Sequence, residues 1–339
     1  MAANNDPLAR LAFALLPELA AEAINPENVE PLTQRMRAIQ QGMSIEDEFA
    51  AKVSWLGNAA GINRIDQTPL PVVEIDGKMR APDFLAFPIV NGQPYPVLIE
   101  VKYEHADRLT WADAYLSSLR RFAERLHLPL LIAWKCGGLW TVFDHRHFQR
   151  SVTGFKITLA AAMMEDLSCA LFRDMRVMMN PDIELAIDIE LVDDTQVRED
   201  ELLPEGQYTF QMRGGGFFLN GNQIVNYDPY HFALFLATPD TTELRRTGAR
   251  TWQHAIRPEA EHGFNLSNVL VAQLSLMYGD DDDLNWHQIL RRPFPSSGRE
   301  LRQSIRSAIE IGFVRYGMDI VPNTWPDFVP RRDAHAGED

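Results

Sequence analysis

The stretch Tyr95–Tyr103 (YPVLIEVKY) constrains this chain more than any other. A strand with one face in water alternates apolar and polar residues; Val97, Leu98, Ile99 and Val101 break that alternation and predict a strand covered on both faces. Two charged residues interrupt it, Glu100 and Lys102. They stand two positions apart, so a strand projects both side chains from the same face. Charged groups on an apolar strand are costly to bury alone, so a partner is expected to face them.

The preceding residues supply one. Asn91-Gly92 suits a two-residue hairpin turn, whose central positions both need positive φ. With that turn, Lys78–Phe87 becomes the antiparallel neighbour and Asp83 falls directly opposite Glu100, on the same face. Pro88, Pro94 and Pro96 flank the turn and can loosen the ladder, because proline donates no hydrogen bond. Upstream, Asp76-Gly77 predicts another hairpin, joining a strand at Pro71–Ile75 to the strand from Lys78. Residues 44–57 read as a helix with Ser44 as cap and Asp47 three residues on. Ile45, Phe49, Val53, Leu56 and Ala60 form its apolar stripe.

Beyond the central strand the period changes. Thr110–Leu126 reads as a helix capped by Thr110, with Trp111, Tyr115, Leu119, Phe122 and Leu126 on one face. Pro129–Trp134 and Leu139–Asp144 follow as strands, the first in a βαβ crossover. Residues 44–150 thus predict α-β-β-β-α-β-β.

The length of 339 residues suggests about two domains. The expected scheme is an N-terminal helical segment over 1–43, with a helix at 8–24 broken at Pro17, and an α/β domain over 44–155. A Met-rich helix (157–179) and an acidic linker (181–205) make up 156–205. A mainly helical C-terminal domain follows over 206–339. Within that last part a β region is expected at 207–226, interrupted by Gly214-Gly215-Gly216. Helices are expected at 284–291 and 297–313, with a strand at Phe313–Val321. Asp280–Asp283 lacks the alternating ligands and glycine of a calcium loop, and reads as a helix cap.

The formal net charge is −15, concentrated in the middle of the chain. That argues against a generic nucleic-acid binder, which carries a basic footprint. Cys136 and Cys169 give neither a disulfide framework nor a zinc pattern. No apolar run is long enough to span a membrane, and Met1–Asp6 lacks the basic start of a signal peptide. A reducing, cytoplasmic setting is expected.

The chemistry-bearing set is Pro82-Asp83 with Glu100-Val101-Lys102. Phosphodiester hydrolysis needs a cation to polarise the phosphate and acidify a water. Mg²⁺ prefers carboxylate oxygens and retains waters. Asp83 and Glu100 supply two carboxylates, the Val101 carbonyl a further oxygen, and Lys102 a positive charge for the nucleophile or the developing charge. Without a cation, Lys102 reads instead as the ion-pair partner of Glu100 or Asp83.

These residues resemble the PD-(D/E)XK nuclease superfamily, Holliday-junction-resolvase and Mrr-like branch, over about residues 44–150. Pro82-Asp83 and Glu100-Val101-Lys102 match its motif without substitution, and PLLIAWK followed by GGLWTVF is similar to the strands after its crossover helix. The resemblance implies a restriction-endonuclease-like mixed sheet flanked by helices and an endonuclease using Mg²⁺ or Mn²⁺. It implies action on DNA in preference to RNA. It also implies a further metal-binding glutamate on the preceding helix, where Glu46 is preferred to Glu48. Glu46 flanks the apolar stripe; either acid also suits a solvated first turn. Lys135 could contact a phosphate or be a strand-end surface lysine. Arg120 and Arg121 on the crossover helix, and Arg299, Arg302 and Arg306 on the later one, could touch nucleic-acid backbone or form solvated helix faces.

The leading expectation is a metal-dependent endonuclease, with restriction or phage defence as an analogy. The alternatives are a catalytically inactive nuclease-fold protein that binds nucleic acid or serves assembly, and a junction resolvase, which requires a symmetric dimer. A protein partner through the C-terminal half is conceivable, and a homodimer or higher oligomer likewise.

Overall fold

The computed structural model describes residues 45–66, 78–192, 208–227, 231, 234–235, 238, 240–259, 263–269 and 298–329. The expected helices at 8–24 and 284–291, the Ser44 cap, the strand and turn at 71–77, the Asp280–Asp283 cap and the Arg299 side chain lie outside the described residues. The chain divides into two compact units, with boundaries at Arg173/Asp174 and Asp319/Ile320.

In the first unit, residues 45–56 are helical (α1). The strands are β1 (Ala59–Arg64), β2 (Phe84–Val90), β3 (Gln93–Pro94), β4 (Val97–Tyr103) and β5 (Arg108–Trp111), followed by helix α2 (Asp113–Leu126). Then come β6 (Leu130–Cys136), β7 (Leu139–Asp144), β8 (Gln149–Ser151), β9 (Gly154–Thr158) and the short helices α3 (Leu159–Met164) and α4 (Ser168–Phe172). The main sheet runs β1-β2-β4-β6-β7, with β3 on β2, and β5-β9-β8 form a second, three-stranded sheet. Within the main sheet β4 and β6 are parallel and the other pairs antiparallel, so the unit is α/β with a mixed sheet flanked by helices.

The central strand lies where its apolar run requires, with Val97, Leu98, Ile99, Glu100 and Val101 all buried. One face of the main sheet, with Leu98, Ile132 and Trp134, packs under Leu116 and Leu119 of α2 and under Phe155 and Ile157 of β9. On the other face Phe49 of α1 meets Phe84, Trp140 and Phe172 at 6.2, 5.2 and 6.2 Å between ring centroids.

Three expectations are corrected here. Ala60 belongs to β1 and not to the helix. Gly57, at φ 68°, ends α1, and the Asn58 amide then donates to Ile89 O and Leu171 O at 3.0 and 2.6 Å. Thr110 does not cap the crossover helix: Thr110 and Trp111 pair with Lys156 and Phe155, so the helix begins only at Asp113. The Met-rich helix over 157–179 is instead the end of β9, α3, α4 and strand β10 (Arg176–Met179). The Asp166 carboxylate accepts from Val142 N and from Ser168 N and Oγ, which breaks the helix between Met164 and Ser168. The first unit therefore runs past residue 155, to Arg173.

In the second unit the mainly helical expectation is overturned among the described residues. Strands β11 (Ile183–Leu191), β12 (Phe210–Leu219), β13 (Asn222–Ile224), β14 (Asp240–Arg246) and β15 (Thr251–Pro258) form one antiparallel sheet in the order β13-β12-β11-β15-β14. β16 (Gly263–Asn265) and β17 (Val314–Met318) flank β10, and α5 (Gly298–Glu310) precedes β17. The acidic stretch expected as a linker holds β11: Glu184 accepts from Arg245 and Arg257, Asp188 from Gln253, and Glu190 from Arg213. Gly214–Gly216 continue β12 rather than interrupting it; a Cβ on Gly215 would lie 2.8 Å from Ala186 O, so only glycine lets the strands approach there. No helix among the described residues is long and apolar enough to cross a membrane.

Candidate active site

The hairpin fixes the geometry. Asn91 and Gly92 take φ of 48° and 77°, and Val90 pairs with Gln93. The same register carries through to Leu85 with Leu98 and Phe84 with Ile99. One step further it sets Asp83, immediately before β2, against Glu100. The Val101 N–H donates to Asp83 Oδ2 at 2.7 Å.

Glu100 is fully buried, 0% exposed. Its Oε1 lies 2.6 Å from the Lys102 ammonium and also accepts from the Tyr115 hydroxyl of α2. Its Oε2 is buried and has no hydrogen-bond partner among the described residues. The Lys102 ammonium sits 5.9 Å from the Trp111 ring centre and 5.2 Å from that of Tyr115. Two aromatic rings thus wall one side of the charge while the lysine side chain keeps partial access to solvent.

The electrostatics follow from this crowding. Burial, then the Glu100 and Glu46 charges, push the Asp83 carboxyl up to about 8, against the opposing pull of Lys102 and the Val101 N–H. Burial pulls the Lys102 ammonium down, but Glu100, Tyr115 and Asp83 outweigh it and hold it above the ordinary lysine range. Burial and the Glu100 charge push the Tyr115 hydroxyl up, so it stays a donor.

The remaining candidates are distributed around this centre. Glu46 lies near enough to act on Asp83, and Arg64 of β1 pairs with both Glu46 and Asp47. Glu48 points elsewhere: Lys135 approaches its Oε2 at 2.5 Å and the Trp140 indole donates to its Oε1 at 2.9 Å. Lys135 is three positions beyond Ile132, which pairs with Glu100. Strand alternation therefore puts the Glu48–Lys135 pair on the opposite face from Glu100. Arg120 lies over the Phe155 ring at 4.8 Å, and Arg121 donates to Lys78 O at 3.0 Å. Arg302 and Arg306 lie on α5 in the second unit.

Sequence reasoning missed Tyr115 and Arg64. Tyr115 counted only as part of an apolar helix stripe, although a tyrosine there carries a polar tip that seeks a partner when buried. Arg64 has no local signal, since its role depends on β1 pairing with β2.

Among the described residues no group of three or more His, Cys, Asp and Glu side chains could by itself hold a metal ion. The donor set nevertheless fits a hard cation. One carboxylate oxygen is buried and unsatisfied, the strand register sets a second carboxylate, Asp83, opposite Glu100, and Mg²⁺ typically takes only one or two carboxylates while keeping waters.

No protein-family profile matches the sequence, and no curated protein matches it. Among solved structures, a Holliday junction resolvase from the archaeal hyperthermophile Archaeoglobus fulgidus matches 36% of this chain and 91% of its own, at 20% identity and a TM-score of 0.30.

Proposed function

We propose that the first unit is a metal-dependent endonuclease domain that hydrolyses phosphodiester bonds in nucleic acid, DNA in preference to RNA. The observation that carries this reading is the buried Glu100 carboxylate, whose Oε2 has no hydrogen-bond partner among the described residues, whose Oε1 pairs with Lys102 and whose charge acts on Asp83. A buried acceptor left unsatisfied costs about 1–3 kcal/mol, a cost that a bound cation removes.

Asp83 and Glu100 would hold Mg²⁺ or Mn²⁺, with the Val101 carbonyl and Glu46 as further oxygen donors. Such an ion polarises the phosphate and lowers the pKa of a bound water. Lys102, kept protonated by its acidic neighbours, presents positive charge to the attacking water and to the charge that develops on the phosphoryl oxygens. Tyr115 fixes the Glu100 carboxylate from the helix side. To hold a cation Asp83 would give up its proton to solvent.

A non-catalytic nucleic-acid-binding role has one observation in its favour: the Glu100 charge is countered by Lys102 and that of Glu46 by Arg64. Cleavage of plasmid DNA, single-stranded DNA, four-way junctions and RNA with Mg²⁺ or Mn²⁺ separates the two. The endonuclease reading predicts cutting by the wild type and loss of it in Asp83→Ala and Lys102→Ala. No cutting of any substrate favours the binding role, and persistent cutting in both variants refutes the site.

A further inference from the structure

The three-stranded sheet β5-β9-β8 carries an open cavity of about 720 Å³, lined mainly by Arg108, Thr110, Arg150, Ser151, Thr153 and Lys156. Among the described residues no acidic side chain lines it. Thr110 pairs with Lys156, and Lys156 with Gln149. Arg108, two residues before Thr110, shares their face. The other face of the same strands, with Leu109, Trp111, Phe155 and Ile157, is buried in the core. The sheet is thus anchored by its apolar side and turns cations and hydroxyls outward.

These cations are not consumed by the fold. Arg108 and Lys156 are exposed and have no ion-pair partner among the described residues. Arg150 approaches Asp113 only at 3.7 Å, both side chains being more than half exposed, and Ser151 Oγ is buried with no hydrogen-bond partner. Arg150 itself pairs with Phe155 and lies over its ring at 5.5 Å, so Arg108 and Lys156 are the outward cations; in a chain of net charge −15, two unpaired cations and a buried hydroxyl around one cavity mark a place for a polyanion. Arginine, lysine and hydroxyl side chains are the groups that contact phosphate oxygens without reading bases. Strand β5 carries the cation-bearing face on one side and reaches the candidate active site on the other. Trp111, the residue after Thr110, lies 5.1 Å from the Tyr115 ring and 5.9 Å from the Lys102 ammonium.

We propose that this face of the small sheet binds the phosphodiester backbone of nucleic acid; that the bound strand is also the substrate of the candidate active site rests on the endonuclease reading. Binding here is independent of base sequence and sensitive to salt, because each neutralised phosphate releases counterions.

The test uses the full chain and a fluorescently labelled DNA duplex without divalent cation, so that binding is read apart from cleavage. Wild type, R108A/K156A and R213A are compared across salt concentrations, with thermal midpoints checking that all are folded. R108A/K156A should bind at least about ten-fold more weakly, with a log–log salt slope shallower by roughly 2 for two lost phosphate contacts. R213A, which removes an exposed cation of β12, should bind like wild type. Unchanged affinity and slope in R108A/K156A overturn the proposal, as does failure of the wild type to bind. Tighter, Arg108- and Lys156-dependent binding to phosphatidylserine vesicles overturns the choice of nucleic acid. If the wild type never cleaves yet the Arg108 and Lys156 dependence holds, the endonuclease reading fails and the backbone-binding surface stands.

Discussion

Asp83 converts burial into a measurable pH dependence. Its carboxyl, ordinarily at 3.8, is pushed to about 8 by burial and by Glu100 and Glu46. Between those values the folded protein holds a proton that the unfolded chain does not, so this group's contribution is fully present below about pH 4 and is lost as pH rises through about 8. Thermal midpoints of the metal-free protein should fall more steeply over that window in wild type than in Asp83→Asn, and Mg²⁺ should restore more at its alkaline end. Parallel curves for the two proteins would remove Asp83 from the buried cluster. Tyr115 acts at one remove, through its bond to Glu100. Tyr115→Phe should lower stability by about 1 kcal/mol and reduce kcat by roughly ten-fold (about 1.4 kcal/mol), with KM for nucleic acid unchanged. A purely structural role would lower stability and leave kcat alone.

At the scale of elements, the Glu48–Lys135–Trp140 cluster ties α1 to β6 and β7. Breaking a buried ion pair from one side costs about 3–5 kcal/mol, and this pair is mostly buried. Lys135→Ala should therefore lower the midpoint in chemical denaturation while leaving nucleic-acid affinity close to wild type; the reverse pattern would make Lys135 a phosphate contact. The elements around the site were readable because their signals are local. A turn dipeptide set the β2–β4 register, and a run of apolar residues without alternation marked β4. The second unit was not readable in that way. β14 (DTTELRR) is largely exposed, and its pairing is supported by Arg245 on Glu184, sixty-one residues away in sequence. An ion-paired sheet face carries no apolar alternation, so nothing local distinguishes it from a polar helix or loop. Likewise β5 looked like the first turn of α2, because only its pairing with β9 makes it a strand.

At the scale of the whole chain, the first unit is discontinuous. It reclaims the chain at Ile320, where Asn323 N donates to Met164 O at 2.8 Å and Phe328 stacks on Tyr95 at 6.3 Å. Truncation after Asp319 should expose Tyr95 and lower the thermal midpoint of the first unit by several degrees, as a loss of about 1–2 kcal/mol implies; an unchanged midpoint would mean that this segment adds nothing to the unit. The claim on which the rest depends is that Asp83 and Glu100 share a divalent ion. Calorimetric titration of Mn²⁺ into the full chain at a pH above 8 tests it most directly. Wild type should bind the ion, and Glu100→Gln, which keeps the shape but removes the charge, should lose that binding. Equal Mn²⁺ affinity in wild type and Glu100→Gln would contradict the account.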